Sequence, residues 1–351
     1  MSEAIAFGHP WLAGLVGDAE VAALLGPGAE LAAMLRFELA LAAAEADAGV
    51  IPGEAALAIS NALLRFRLDD AAMARATARD GVVVPEFVRQ ARAAVGEPHA
   101  RWFHFGATSQ DVIDSGLVLR LKAVLPVLAA RLAAVAAALD GLDARFGERR
   151  LMGRTRMQAA IPITVGARVA SWRGPLARQA ARLERLAPEI LVVQFGGAAG
   201  TLEKLGDKAG AVRAALAGAL GLGDVPQWQS QRDRIVELGG WLATTTGALG
   251  KLGQDVALLA QAGDEIALSG GGASSAMPHK ANPVGAEVLV ALARFNAGQA
   301  GGLQQAMMHE QERSGAAWTL EWLLLPPMLI ATAAALATAA RLAASIESLG
   351  G

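Results

Sequence analysis

Long windows rich in alanine and leucine alternate with short stretches of glycine and proline along most of this chain. Inside the windows, apolar residues recur at helical spacing, and almost no segment shows the period-two alternation of an exposed strand. The pattern therefore predicts an all-α protein. The predicted helices cover residues 28–48, 54–65, 84–95, 111–146, 163–186, 207–220, 232–267, 285–304 and 323–349.

Several of these windows are longer than helices of globular proteins usually are. A helix of thirty or more residues spans about 45 Å or more, and a bundle or a coiled assembly is needed to bury it along its length. The windows before about residue 100 are shorter and are interrupted by glycine, proline and charged turns. We therefore predict a small helical domain over residues 1–105 and a long helical bundle over residues 106–351.

The composition gives a reason to expect subunit association. The chain has 351 residues, of which 54% are hydrophobic but only 5% aromatic, and its mean hydropathy is +0.37. Alanine and leucine supply the excess, and both favour helices that pack closely. A surplus of apolar surface predicts a homo-oligomer in which part of that surface is hidden between subunits.

Charge and cysteine content narrow the possible functions. The 31 basic and 33 acidic residues give a net charge of −2 and form no long run of one sign, so nothing indicates a nucleic-acid partner. The chain lacks cysteine, and its five histidines are scattered, which argues against disulfides and a metal site. The amino terminus does not have the order of a signal peptide, so we expect a cytoplasmic protein.

One segment has the length of a membrane span. Residues 322–340 carry no charge, which is long enough to cross the hydrocarbon of a bilayer. However, Pro326 and Pro327 interrupt it near its start, alanine and threonine dominate the rest, and charged Glu321 and Arg341 flank it. We therefore predict a buried bundle helix and no association with a membrane.

Residues 270–283 are the most informative stretch for chemistry, and they read GGGASSAMPHKANP. Small residues permit unusual backbone angles, so the start of the segment suits a hinge that swings over a ligand. The polar residues behind this hinge suit an anionic ligand. They are Ser274, Ser275, His279, Lys280 and Asn282.

Two further segments carry candidate anion-binding groups. In HFGATSQDVID, which starts at His104, Thr108 and Asp111 have the spacing of a capping box, so a helix should begin there with free amides. A plain helix cap is the alternative. In GRTRMQ, residues 153–158, Arg154 and Arg156 precede a long helix and could clamp a carboxylate, or they could be ordinary surface arginines.

The three segments resemble the signatures GSSxMPxKxNP, HxGxTSxDxxD and GRTHxQ of the superfamily of fumarase, aspartase, argininosuccinate lyase and adenylosuccinate lyase. Ala273 stands where the first signature has glycine. The resemblance implies a shared multi-helix core in a tetramer, active sites assembled from three subunits, a polycarboxylate substrate and no cofactor. It also implies that the small third domain common at the carboxyl end of the superfamily is absent or vestigial here.

The resemblance assigns roles to individual residues. Ser274 would transfer a proton with the support of Lys280, and His279 is the alternative proton carrier. His104 would contact the substrate or order its loop. The implied substrate-binding residues are Thr108, Ser109, Gln110, His104, Arg154, Arg156, Gln158, Ser275 and Asn282.

Two departures from the superfamily pattern are informative. Arg156 replaces a histidine of the proton-transfer machinery, and residues 78–80, Ala-Arg-Asp, replace a segment in which adenylosuccinate lyases carry another histidine. Arginine stays protonated, so it is a poor acid or base and a good carboxylate clamp. Because an enzyme that expels an amine must protonate it, the departures favour the cycloisomerising branch, in which the substrate closes on itself as a lactone. The alternatives are an adenylosuccinate-type lyase and a non-catalytic helical scaffold.

Overall fold

The computed structural model describes residues 6–273, 275–277 and 281–351. Within these ranges the helices are α1 Ala13–Val16, α2 Ala19–Leu25, α3 Pro27–Asp47, α4 Gly53–Leu63, α5 Asp70–Asp80, α6 Val84–Val95, α7 Ser109–Phe146, α8 Val165–Ile190, α9 Ala209–Leu220, α10 Asp233–Ala262, α11 Val284–Ala306 and α12 Gly315–Ala344. The strands are β1 Arg150–Thr155, β2 Gln158–Thr164, β3 Ile266–Leu268 and β4 Ile346–Leu349. The predicted all-α class is confirmed, with four short strands added to it.

Most predicted helices lie where the hydrophobic pattern put them. The window at 84–95 coincides with α6, and the window at 111–146 is α7 apart from its first turn. The window at 232–267 was too long at its end, because Gly263 takes a left-handed conformation (φ 81°) and stops α10 at Ala262. The short helices α2 and α5 were not predicted.

Five long helices, α7, α8, α10, α11 and α12, surround the larger apolar core. Glycines on α10 allow α11 to approach closely: a Cβ on Gly250 would lie 2.5 Å from Ala293 Cβ, and one on Gly253 would lie 2.5 Å from the Ala286 carbonyl oxygen. Such contacts leave no room for a side chain. These two positions therefore set the spacing of the two helices.

Two helices of the described chain, α7 and α12, are long and apolar enough by composition to cross a membrane. In α12, 67% of the most apolar window is buried inside the protein, whereas in α7 the figure is 33%. Residues 322–340 therefore form a buried bundle helix, as predicted. The face of α7 that stays exposed is apolar and includes Pro126, Ala129, Ala133 and Ala137.

A second apolar core joins α3, α4 and α6 with the start of α7 and with α9. Phe37, Phe87, Phe103 and Phe195 are buried in it, with edge-to-face contacts between neighbouring rings. The core extends past residue 105 to α9 and Trp318. The boundary between a domain at 1–105 and one at 106–351 stays a prediction.

The strands lie at one end of the bundle. β1 and β2 form an antiparallel hairpin between α7 and α8, and β3 pairs with β4 just after α10 and α12 end. Nearly all of β2 is exposed, so the hairpin projects from the body. Its sequence, QAAIPIT, lacks a clear alternation of apolar and polar residues, which is why the hydrophobic pattern did not reveal it.

Candidate active site

Thr108 begins α7 as predicted. Its side chain accepts from the backbone of the first helical turn, and its own amide donates to Asp111 Oδ2 at 3.0 Å, which completes the capping box. Thr108 and Ser109 are both half-buried. The start of this 38-residue helix carries partial positive charge, which suits a carboxylate next to these two hydroxyls.

Asp111 ties the start of α7 to the loop at residues 194–200. Its carboxylate accepts from the amides of Gly196 at 2.8 Å and Gly197 at 2.9 Å, and from Gln194 Nε2 at 3.0 Å. Burial raises the pKa of Asp111 to about 6, although these hydrogen bonds act in the opposite direction. Asp111 is therefore an organising residue, enclosed and out of reach of a ligand.

Gln110 is fully buried, and every polar atom of its side chain has a partner. Its Nε2 donates to the Gln229 carbonyl oxygen at 2.7 Å and to Asp114 Oδ2 at 3.1 Å, while its Oε1 accepts from Arg313 Nε at 2.9 Å. Gln110 thus fastens two distant segments, around Gln229 and Arg313, to the start of α7. In this arrangement it shapes the site without offering a free group to a ligand.

Arg232 lies at the centre of a buried ion cluster beside the start of α7. Its guanidinium donates to Asp114 Oδ2 at 2.6 Å and to Glu321 Oε2 at 2.6 Å, and it lies over the Trp228 ring at 4.8 Å. Burial alone would lower the pKa of Arg232, but the two carboxylates raise it above its ordinary value. Because both carboxylates hold it, Arg232 joins helices and is not available to a ligand.

His104 is held by a residue that the sequence did not single out. Its Nδ1 lies 2.6 Å from Glu38 Oε1, and the Glu38 side chain is 1% exposed. A second acid, Glu45, is buried on the same helix, and among the described residues its carboxyl oxygens have no hydrogen-bond partner. The sequence contained an indication of this pair. Glu38 and Glu45 lie seven residues apart in an apolar helical window, so they share a helix face that should be buried.

The predicted arginines lie on the β1–β2 hairpin, far along the chain from Thr108. Arg154 Nη2 pairs with Glu265 Oε2 at 3.1 Å, and Glu265 Oε1 also accepts from the Met152 amide at 2.5 Å. Arg156 forms the turn of the hairpin together with Met157, and both residues have positive φ, 49° and 67°. Gln158 follows the turn and is exposed.

The hairpin borders a cleft of about 900 Å³. The cationic side chains that line it are Arg154, Arg156, Arg168 and Lys251. Among the described residues that line the cleft, Asp255 is the one carboxylate, and it is already paired with Lys251 at 2.6 Å. The cleft is therefore positively charged, which suits a ligand with several carboxylates.

The glycine-rich segment is closed at its base. Gly272 and Asn282 exchange two backbone hydrogen bonds of 2.9 and 3.0 Å, and Asn282 Nδ2 also donates to the Gly272 carbonyl oxygen at 3.2 Å. A Cβ on Gly272 would lie 2.4 Å from Val284 Cγ2, so any larger residue at this position would force Val284 to shift. Ser275 is exposed. Ser274, His279 and Lys280, the three predicted catalytic residues, lie outside the described residues.

The structure separates the predicted residues into two groups at opposite ends of the bundle. Arg232, which contacts Asp114 on α7, directly precedes α10, while Glu265, which holds Arg154, follows its end. α10 has 30 residues, so the two ends lie about 45 Å apart. The group around Thr108 and the group that contains Arg154, Gly272 and Asn282 therefore cannot contact the same small molecule within one chain.

Comparison with known proteins shows which enzyme family this chain belongs to. A family profile described as lyase matches residues 28–298. The chain belongs to this lyase family. The match covers all three signature segments, so the superfamily resemblance of the sequence is confirmed.

Several relatives in the lyase family are named for the same activity. The 3-carboxy-cis,cis-muconate cycloisomerase of Pseudomonas aeruginosa is 44% identical over 325 residues, which cover 90% of this chain and 71% of the relative. The enzyme of the same name from Pseudomonas putida is 42% identical, with 90% of this chain and 77% of the relative covered.

A solved structure confirms the fold of the lyase family for this chain. The 3-carboxy-cis,cis-muconate lactonizing enzyme from Pseudomonas putida superposes with a TM-score of 0.89 at 39% identity, over 95% of this chain and 76% of that one. In the described part of our chain, no group of three or more histidine and acidic side chains is placed to hold a metal ion.

Proposed function

We propose that this protein is a cycloisomerase that converts 3-carboxy-cis,cis-muconate to carboxymuconolactone, a step of protocatechuate breakdown. Arg156 carries the proposal, because it occupies the position at which the amine-expelling members of the superfamily have a histidine. A lactonisation has no separate leaving group to protonate, so a permanent cation is useful there. Relatives at 44% and 42% identity bear the name of this activity.

The main requirement of the reaction is to stabilise the negative charge that develops on the substrate. One carboxylate of the substrate attacks a double bond of the same molecule, and a neighbouring carboxylate takes up negative charge as an enolate before a carbon is protonated. Preorganised donors aimed at that charge lower the barrier. Thr108 and Ser109 at the start of α7 would hold one carboxylate, and the arginines of the hairpin would hold others. No cofactor is needed.

Proton transfer is assigned to the glycine-rich segment. Ser274, the first serine of the pair, would deliver the proton to carbon, with Lys280 stabilising the alkoxide that remains, and His279 is the alternative carrier. Closure of this segment over the ligand would exclude water and strengthen these interactions. The two backbone hydrogen bonds between Gly272 and Asn282 would hold the base of the segment in place during that movement.

We further propose that the active site is shared between subunits of a homo-oligomer, which the superfamily resemblance makes a tetramer. The separation of about 45 Å between the two groups of site residues means that their meeting requires more than one copy. The exposed apolar face of α7, with Pro126, Ala129, Ala133 and Ala137, is a suitable contact surface. If subunits cover this apolar face, it is not left for a membrane to bind. We therefore also propose that the protein is cytoplasmic and binds no membrane.

The decisive experiment is a direct assay of the purified protein. Loss of the ultraviolet absorbance of the diene should follow addition of 3-carboxy-cis,cis-muconate, while fumarate, adenylosuccinate and argininosuccinate should be unchanged. Activity on adenylosuccinate alone would replace the proposal with a C–N lyase. Inactivity on all four would support the helical scaffold.

Ser274→Ala tests the assignment of the proton donor. We expect turnover to fall at least about a hundredfold, the usual scale for a proton-transfer group, with the oligomer intact. Ser269→Ala is the matched control, because Ser269 is an exposed serine near the base of the same segment, and its Oγ donates to the Ser345 carbonyl oxygen. Equal turnover in the two variants would exclude Ser274 from the chemistry.

Complementation tests the shared site. Ser109→Ala and Arg156→Ala should each be weakly active, but co-expression should recover activity, because about a quarter of the sites in a random mixture combine an intact Ser109 with an intact Arg156 from another subunit. If both residues acted within one chain, no mixture would contain an intact site. Absence of recovery in verified mixed oligomers would therefore reject the arrangement.

A further inference from the structure

His104 occupies a fixed and strained position in the first signature segment. Its backbone has φ 60°, a conformation that residues other than glycine seldom adopt. On its amino-terminal side, the Phe103 carbonyl oxygen accepts from Arg92 Nη2 at 3.0 Å, and the Phe103 ring is buried. A strained backbone conformation persists only where surrounding contacts hold it. The contacts around this loop therefore fix the orientation of His104.

Glu38 supplies the contact that orients the imidazole. Its Oε1 lies 2.6 Å from His104 Nδ1, and the two residues are 66 positions apart. A carboxylate at that distance accepts a hydrogen bond from Nδ1, which leaves Nε2 as the nitrogen that can face a ligand. The Nε2 atom is neither hydrogen-bonded nor fully buried within the part of the chain that the structure describes. His104 lies four residues before Thr108, in the loop that leads into α7.

We propose that Glu38 is a positioning residue for the reaction: by accepting from Nδ1 it fixes the ring and the tautomer of His104, so that Nε2 faces the substrate beside Thr108 and Ser109. This inference rests on the proposed function, which it deepens by giving His104 a direct contact with the substrate. A partner of this type typically matters by tenfold to a hundredfold, as it does where carboxylates orient metal-binding histidines.

Glu45 provides a matched comparison on the same helix. It lies two turns after Glu38 and is also buried, but neither of its carboxyl oxygens has a hydrogen-bond partner in the part of the chain that the structure describes. A Cβ on Gly106 would lie 3.6 Å from Glu45 Oε1, so this acid abuts the same loop. Burial, and then the charge of Glu38, raise the pKa of Glu45 to about 9. Glu45 therefore fills space as a neutral acid and does not orient His104.

The test compares Glu38→Leu, Glu38→Gln and Glu45→Gln. Leucine removes the acceptor at similar volume, and we expect kcat/KM for 3-carboxy-cis,cis-muconate to fall at least about tenfold per folded subunit. Glutamine keeps an acceptor of the same shape but can also donate, so its effect should be intermediate. Glu45→Gln should stay within about twofold of the wild type, because it replaces one neutral group with another.

A spectroscopic measurement on the ligand-free protein separates this inference from the proposed function. Long-range ¹H–¹⁵N spectra, with the His104 signal assigned by its loss in His104→Asn, report which nitrogen of the neutral ring carries the proton. We expect the Nδ1-protonated form in the wild type and in Glu45→Gln, and the more usual Nε2-protonated form in Glu38→Leu. If the wild type lacks activity on the substrate, these spectra still decide whether Glu38 controls His104.

Two results would overturn the inference. One is a wild-type spectrum in which His104 carries its proton on Nε2. The other is a Glu38→Leu enzyme whose tautomer has changed but whose kcat/KM remains within about twofold of the wild type, since Nε2 would then have no role at the substrate. If Glu38→Leu does not fold, the spectrum and kinetics of Glu38→Gln decide in the same way.

Discussion

Glu45→Gln should make this protein more stable, and more so as the pH rises. Glu45 lies on α3 with 1% of its surface exposed, and its carboxyl oxygens have no hydrogen-bond partner within residues 6–273, 275–277 and 281–351. Burial and the charge of Glu38 raise its pKa from 4.5 to about 9. Folding at neutral pH therefore requires this carboxyl to take up a proton that the unfolded chain has released. Glutamine has nearly the same shape and needs no proton.

The size of the effect follows from the two pKa values. Below pH 4.5 both states are protonated and the residue carries no penalty, whereas between 4.5 and about 9 the penalty grows with pH. At pH 7 the group lies about 2.5 pH units above its unfolded pKa, which corresponds to about 3.5 kcal/mol at about 1.4 kcal/mol per unit. At pH 5 the same relation gives about 1 kcal/mol. We therefore expect Glu45→Gln to gain about 2.5 kcal/mol more at pH 7 than at pH 5.

Urea unfolding followed by tryptophan fluorescence measures this difference. The subunit concentration must be the same in every experiment, because association stabilises the folded state by mass action. Glu148→Gln is the control, since Glu148 is exposed in the loop after α7 and its substitution should change the free energy of unfolding little at either pH. A gain for Glu45→Gln that did not vary with pH, or a loss at both values, would refute the reasoning.

Three further predictions concern other parts of the molecule. Arg232→Leu leaves Asp114 and Glu321 buried without their cation, so the free energy of unfolding should fall by about 3 to 5 kcal/mol; a loss below about 1 kcal/mol in urea unfolding would contradict this. Met157→Gly relieves a positive φ at the exposed turn of the hairpin and should raise stability by about 1 kcal/mol in the same assay, whereas a loss would argue against strain there. Ala133→Arg places a charge on the exposed face of α7 and should yield a smaller species in size-exclusion chromatography with light scattering; an unchanged mass would exclude that face as a subunit contact.

Much of the fold could be predicted from the sequence, because local patterns and tertiary packing agree there. The window at 84–95 has a strong apolar stripe, and it forms α6 with the same bounds. The spacing of Thr108 and Asp111 predicted a capping box, and both of its hydrogen bonds are present. The excess of alanine and leucine predicted long packed helices, which form the bundle.

The candidate site could be predicted only in part. The signature segments identified which residue types lie at the start of α7 and on the hairpin, but they did not show which side chains are free. Gln110 was expected to bind substrate, and the structure surrounds it with protein partners instead. The hairpin itself was missed, since Arg156 and Met157 adopt a turn that usually requires glycine or asparagine.

The sequence by itself determined the helical class, the positions of the long helices and the three segments that match the signatures of the superfamily, because these depend on periodicity and on residues that are neighbours in the chain. Only the tertiary structure decided that Glu38 faces His104 and that Arg232 is enclosed between Asp114 and Glu321. It also decided that Thr108 and Arg154, both predicted to bind substrate, lie near opposite ends of α10. Such contacts join residues from 66 to 118 positions apart, and they arise from the way long helices align, which no local pattern specifies.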